Sequence, residues 1–268
     1  MFVAQNFTEG YLRSVSDSEI FGGLSGLITR SKMGKSEGDE KILSYNDVVL
    51  RKSDLDILSG PYYLNDRIIE FYFSYLSTIH PSKDILLSPP SIAFWIMNCP
   101  DTENLNDFLK PLNLCDKKLV IFPVNDNNDV TKAEGGNHWS LLAFYREANV
   151  FVHHDSNKGM NKYDAKRLYK AVAKYMSGDS NSTSDLSYVE CVESPQQVNG
   201  YDCGVYVTAI ASIICRWYEQ RKEVDKDGLW FSALVEEVSP SFVANMRSEI
   251  LGLIRSLMAM KEYQPASK

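Results

Sequence analysis

The chain has 268 residues, a formal net charge of -7 and 44% hydrophobic content. That size and composition describe a folded chain with a sizeable core and exclude a wholly disordered one. The acidic balance weighs against nucleic acid as a partner and against adhesion to an anionic membrane, so neither is expected.

The cysteines are Cys99, Cys115, Cys191, Cys203 and Cys215. Their number is odd and no two form a CxxC pair, which fits free thiols in a reducing compartment, cytoplasmic or nuclear. No apolar run is long enough to cross a bilayer as a helix. The opening "MFVAQNFTEG" lacks the basic and then apolar blocks of a secretory signal.

Residues 1–40 are rich in Ser, Gly and charge and read as a mostly disordered extension. Met33, just before the organised region, is a possible internal translation start. A single catalytic-size α+β domain is expected over residues 41–262, with a short tail at 263–268. Residues 64–80, "LNDRIIEFYFSYLSTIH", have helical apolar spacing behind an N-cap at Asn65 or Asp66. "PPSIAFWIMN" reads as a short helix opening on proline. "ENLNDFLKPL" reads as another, stopped by Pro111. "KKLVIFPVN" is a buried strand, and "DNNDVTKAEGGN" is a polar loop.

Two strands, "HWSLLAFY" and "NVFVHHD", follow around a short turn. "DAKRLYKAVAKYM" is an amphipathic helix whose Lys166, Arg167 and Lys170 read as a solvated face. "SYVECVES" is a strand, and "DCGVYVTAIASIICRWYEQRK" is a long buried helix. Two further helices are expected around residues 229–237 and 242–260.

The hairpin carries the first chemical signal. A tight turn centred on Arg146–Glu147 pairs Tyr145 with Ala148 and sets His138 directly opposite Asp155. Opposed residues share a face, close enough for a carboxylate to accept from an imidazole N–H. The same face carries Ser140, Leu142, Phe144, Phe151 and His153. The other carries Trp139, Leu141, Ala143, Val150 and Val152. Taken alone, a His–Asp pair is better explained by a satisfied polar contact at a sheet edge. A third element shifts that balance. Cys203 stands at a helix N-terminus, where the dipole and free N–H groups favour a thiolate. Asp202 is the expected cap. A thiol, an imidazole and an orienting carboxylate form the triad logic in its cysteine version. Gln197 and the backbone N–H of Cys203 are candidate donors to an oxyanion. A packed core thiol remains the alternative for Cys203. Adjacent His153 and His154 point to opposite faces, so no metal or other cofactor is expected.

"GGNHWSLLAF", "FVHHDS" and "QQVNGYDCGVYV", in that order, resemble the ubiquitin-like-protein-specific cysteine proteases, the sentrin/SUMO-specific protease family. "LSYNDVVLRKSDLDIL" and "LNDRIIEFY" extend the resemblance to about residues 42–260. It is nearest the deneddylase branch that acts on the Nedd-eight/Rub modifier, particularly its plant members. The resemblance implies a papain-like α+β fold of the adenain-like type, with a central mixed sheet flanked by helices. It implies His138, Asp155 and Cys203 as the triad and Gln197 as the oxyanion residue. It implies Trp139, Tyr63, Asp66 and Gly136 as contacts for the modifier's Gly-Gly tail, and residues 125–136 as a loop closing on substrate. The family pattern Trp-Leu-Asn-Asp is here Tyr63-Leu64-Asn65-Asp66, so the tail channel is expected to work in a slightly altered form. The implied partners are the modifier and its conjugates such as cullins, and the implied state is a monomer. Three alternatives stay open: the same chemistry on SUMO, a non-catalytic ubiquitin-like binding module, and an acyltransferase built on the same cysteine triad.

Overall fold

The structure, a computed structural model, describes residues 39–99, 105–106, 109–132, 135–176, 186–221 and 228–262. Most of the expected extension and all of the expected tail lie outside these residues. Asp39 and Glu40, assigned to that extension, are tied into the fold. The Asp39 carboxylate accepts from Ser53 N at 3.0 Å and from Ser53 Oγ at 2.6 Å, and Glu40 O accepts from Lys52 N at 2.9 Å.

The chain first makes an antiparallel ribbon of β1 (Lys41–Tyr45) and β2 (Val48–Arg51), turning on Asn46 at φ 48. Helices α1 (Lys52–Ser59) and α2 (Asp66–Ile79) follow, then β3 (Ile85–Leu87), α3 (Pro90–Asn98) and β4 (Leu119–Asn125). Strands β5 (Trp139–Tyr145) and β6 (Val150–His154) form the central hairpin. After them come α4 (Lys162–Met176), β7 (Ser187–Glu190), α5 (Cys203–Gln220), α6 (Phe231–Glu237) and α7 (Pro240–Glu262). The larger sheet has the order β3-β4-β5-β6-β7, with parallel outer pairs and antiparallel inner ones. This is the mixed sheet flanked by helices that was expected.

Several expected elements change at their edges. Asn65, not Asp66, caps α2, accepting from Ile68 N at 3.1 Å. Pro111 lies inside a 3-10 turn, Lys110–Leu112, rather than ending a helix. Part of that expected helix, residues 103–104 and 107–108, lies outside the described residues. The strand expected over residues 187–194 stops at Glu190. Cys191 N still donates to His153 O, but Ser194 N turns back onto Cys191 O.

All seven β5 side chains are buried because both faces are covered. Trp139, Leu141, Ala143 and Tyr145, with Val150 and Val152, enter the core that α2, α5, α6 and α7 share. Leu142, Phe144 and Phe151 enter a second core with α3 and α4. The two face assignments hold, but the register differs. Tyr145 pairs with Val150 and Leu141 with His154. The loop has four residues: Asn149, at φ 49, donates its N–H to Arg146 O at 3.0 Å. The Arg146 guanidinium anchors that loop on the carbonyls of Leu114, Lys117 and Met176. A shift of two residues preserves which face each side chain takes. His138 is therefore not directly opposite Asp155, yet both remain on one side of the sheet.

Helix α5 packs against β5 beneath α2 and α7. Its second residue is glycine for a steric reason. A Cβ at Gly204 would fall 2.8 Å from Leu64 Cβ, the root of a buried side chain that cannot swing aside. Gly204→Ala is expected to cost about 1–3 kcal/mol through overpacking. Chemical denaturation checks it: the midpoint should fall, and an unchanged midpoint would show that Leu64 yields freely.

Candidate active site

His138 immediately precedes β5 and Asp155 immediately follows β6, so the hairpin brings both to one end of the sheet. His138 Nε2 donates to Asp155 Oδ1 at 2.6 Å. The two residues are only 2% and 5% exposed. Asp155 Oδ1 also accepts from Asn157 N at 2.9 Å, and Oδ2 accepts from Asn161 N at 3.0 Å. Burial pushes the Asp155 carboxyl up, but these three donors outweigh it and hold it below the usual carboxylate range. Burial likewise works against a charged His138. The Asp155 hydrogen bond and a hydrogen bond with Cys203 prevail and raise the imidazole to about 9. With Nε2 committed to Asp155, Nδ1 is the nitrogen left for Cys203.

Cys203 is the first residue of α5 and is fully buried. It lies near enough to the imidazole to help raise it, at the end where a helix leaves its first N–H groups unpaired. Asp202 occupies the cap position but makes no side-chain cap bond. Its carboxylate is drawn elsewhere: Oδ1 accepts from Arg247 Nη2 at 2.7 Å and Nε at 2.9 Å, and Oδ2 from Asn199 Nδ2 at 2.6 Å. The expected cap is thus an ion-pair anchor, because a nearby guanidinium outcompetes backbone N–H groups for a carboxylate.

Gln197 is held by its own loop. Ser156 Oγ donates to Gln197 Oε1 at 2.7 Å, Gln197 Nε2 donates to Asn199 O at 2.7 Å, and Gln197 N donates to Ser156 O at 2.9 Å. These bonds fix which end of the amide is the donor and leave Nε2 a second N–H. Gln196 braces the same loop through Asp155 O and Ser194 O.

The segment holding the expected tail contacts is joined to the site through Trp139. The indole Nε1 donates to Leu64 O at 3.0 Å. Leu64 in turn packs on Gly204. Tyr63 is exposed, at 52%. Asp66 opens α2, where the helix dipole favours its charge. Burial, then the charges of Asp66 and Asp47, push Glu70 up to about 7. Gly136 is exposed and has φ 82, and a Cβ there would sit 2.0 Å from Asn125 Oδ1, so only glycine fits.

Three residues that sequence reasoning missed support this arrangement. Asp126 Oδ1 accepts from Asn137 N at 2.6 Å and His138 N at 3.0 Å. Buried Asn161 donates its side-chain amide to His138 O at 3.1 Å and Val124 O at 3.2 Å. Arg247 binds Asp202 from α7. Asp126 stood in the polar loop and so offered a local signal; Asn161 and Arg247 reach the site only through the fold.

The other histidines are engaged elsewhere. His153 bridges Glu190 at 2.8 Å and Ser140 at 2.9 Å. His154 meets Ser194 Oγ at 3.0 Å and accepts from Trp230 Nε1 at 2.8 Å. Burial, with the His153 charge, pushes it to about 3, so it is neutral. His80 ends α2 and pairs with Glu219. Among the described residues, no three His, Cys, Asp or Glu side chains group as metal ligands.

Comparison with known proteins agrees with this geometry. Residues 62–252 match the Ulp1 protease family, C-terminal catalytic domain. The chain is 59% identical over 227 residues to NEDD8-specific protease 1 of Arabidopsis thaliana, covering 85% of this chain and 98% of that protein. It is 32% identical over 223 residues to Sentrin-specific protease 8 of Homo sapiens, covering 82% and 98%. Its fold matches the C-terminal Ulp1 protease domain solved with Smt3, the yeast ortholog of SUMO. The TM-score is 0.61 at 17% identity, over 83% of this chain and 90% of that one. A match across most of the chain, with a fold to go with it, means that this chain belongs to the Ulp1 protease family of cysteine peptidases.

Proposed function

We propose that this chain is a cysteine isopeptidase and C-terminal hydrolase that cleaves after the Gly-Gly terminus of a NEDD8/Rub modifier. It would mature the modifier's precursor and release the modifier from lysine ε-amines. The observation that carries the reading is the buried His138–Asp155 pair, with Cys203 near enough to help raise the imidazole. The identity to NEDD8-specific protease 1 and Sentrin-specific protease 8 supports the choice of modifier.

In this reading Cys203 gives its Sγ proton to His138, and the resulting thiolate attacks the carbonyl carbon of the terminal glycine, forming a C–S bond. The carbonyl oxygen becomes an oxyanion that the Cys203 N–H and the free N–H of Gln197 Nε2 stabilise. The oxyanion collapses, the C–N bond breaks, and His138 gives its proton to the leaving amine. Water then attacks the thioester as His138 takes a proton back, and the sulfur leaves with the electron pair of the C–S bond. Asp155 keeps the imidazole oriented throughout. Because Cys203 has no exposed surface, the substrate tail must displace a neighbouring group to reach it. Tyr63 and Trp139 would flank that tail and Gly136 would lie beside it. A narrow channel between those two rings would select residues without side chains by exclusion. The negative charges of Asp47 and Asp66 favour a basic residue near the tail. The odd number of cysteines and the absence of a CxxC pair fit the cytoplasm or nucleus as the working compartment.

Cys203→Ala is expected to lower cleavage of a modifier fusion by about 10³-fold or more while modifier binding persists. A gel-based cleavage assay paired with calorimetric binding checks both. Electrophile-tipped NEDD8/Rub should label Cys203 and electrophile-tipped SUMO should not. Labelling by SUMO alone would overturn the modifier assignment, and labelling by neither would favour a binding module.

The pH dependence has a definite sign. Protonated His138 is the acid, so kcat/KM should fall as pH rises through about 9. Asp155→Asn removes the charge that raises the imidazole. It should move this limb down toward the ordinary 6.5 and cost ~10²–10⁴-fold in rate. Stability follows the same pair. Its contribution is complete between 3.8 and 6.5, is lost as pH rises through about 9, and is lost in acid once Asp155 protonates. A pH–rate profile whose alkaline limb is the same in wild type and Asp155→Asn would contradict the assigned roles.

A further inference from the structure

Arg247 sits on α7, 45 residues from Asp202 in sequence, and is 9% exposed. A buried guanidinium needs acceptors for its N–H groups, and this one has them on two separate segments. Nε and Nη2 both donate to Asp202 Oδ1, at 2.9 and 2.7 Å. Nη1 donates to Ile57 O at 3.0 Å and Gly60 O at 3.2 Å, and Nη2 donates to Tyr62 O at 2.9 Å. A longer contact reaches Tyr201 O at 3.5 Å, and the guanidinium carbon lies 5.6 Å from the Tyr201 ring centroid.

These acceptors fall into two groups. Ile57, Gly60 and Tyr62 lead directly into Tyr63 and Leu64, the segment that meets Trp139. Tyr201 and Asp202 lead directly into Cys203. The second group continues inward. Asp202 Oδ2 accepts from Asn199 Nδ2, Asn199 Oδ1 accepts from Tyr201 N and Asp202 N, and Asn199 O accepts from Gln197 Nε2. One side chain is thus continuous, through hydrogen bonds of 3.2 Å or less, with the tail-flanking segment and with the amide of Gln197.

We propose that Arg247 is a positioning residue that locks the tail-binding segment at Tyr62–Tyr63 to the turn carrying Gln197 and Cys203. It sets the distance between substrate tail and nucleophile without touching either. The inference rests on the function proposed above. Lysine cannot replace the arginine here. A single ammonium can pair with Asp202, but it lacks the planar fork needed to reach Ile57, Gly60 and Tyr62 as well.

Arg247→Lys is the variant of choice, because Arg247→Ala strands a buried carboxylate and risks unfolding. In the full chain, well below its melting temperature, Arg247→Lys should raise KM and lower kcat for a Gly-Gly-tailed modifier fusion, at least tenfold in kcat/KM. The alkaline limb of the pH profile should stay in place, since His138 and Asp155 are untouched. Amide hydrogen exchange should accelerate together at residues 60–64 and 201–204 and remain unchanged in β5. Kinetics within twofold of wild type, or acceleration in only one of the two segments or evenly across the fold, would overturn the proposal. If wild type fails to cleave the fusion, the proposed function falls, and the exchange data still decide whether Arg247 couples the two segments.

Discussion

His138 and Asp155 meet at 2.6 Å where the central hairpin opens, with little contact with water. Buried charges are tolerable only with good geometry and satisfied lone pairs, and removing one partner of such a pair costs about 3–5 kcal/mol. Much of the nearby chain answers that requirement. Asn157 and Asn161 give backbone N–H groups to Asp155. Asp126 and the side chain of Asn161 hold the backbone of His138 from either side. The sheet contributes stiffness, since β5 is packed on both faces and cannot slide without emptying one of two cores.

From that pair the constraints run outward to the helix that bears the thiol. Cys203 stays beside the imidazole because α5 is buried along its length, and because Gly204 lets Leu64 approach closely. Leu64 also receives the indole of Trp139, so the Cys203 helix, the sheet and the approach to α2 share one contact point. The acidic residue before the cysteine belongs to the same scheme. Asp202 gives up helix capping to bind Arg247, which ties this junction to the chain ahead of α2.

Much of this was legible in the sequence. Which face each hairpin residue takes survived an error in register, because the true loop is longer by an even number of residues. Tyr145 faces Val150 rather than Ala148, and His138 still shares a side with Asp155. The four-residue loop had a signal in Asn149, a residue that tolerates positive φ. Likewise "YND" around Asn46 marked the β1–β2 turn. The two faces of β5 and the buried thiol on α5 were readable from spacing alone, and spacing narrowed the α2 cap to Asn65 or Asp66. The roles of Arg247, Asn161 and Asp202 were not. Arg247 meets Gly60 O across 187 positions, and no local pattern encodes a partner at that distance. An aspartate before a helix reads as a cap until a guanidinium from another element is placed beside it.

The central claim is that Asp155 keeps His138 charged beside Cys203 at the pH where the enzyme works. NMR titration of the His138 imidazole nitrogens in the intact chain tests it directly. The account predicts a midpoint near 9, with the bound proton on Nε2 shared with Asp155 throughout. A midpoint at or below the ordinary 6.5 would contradict it.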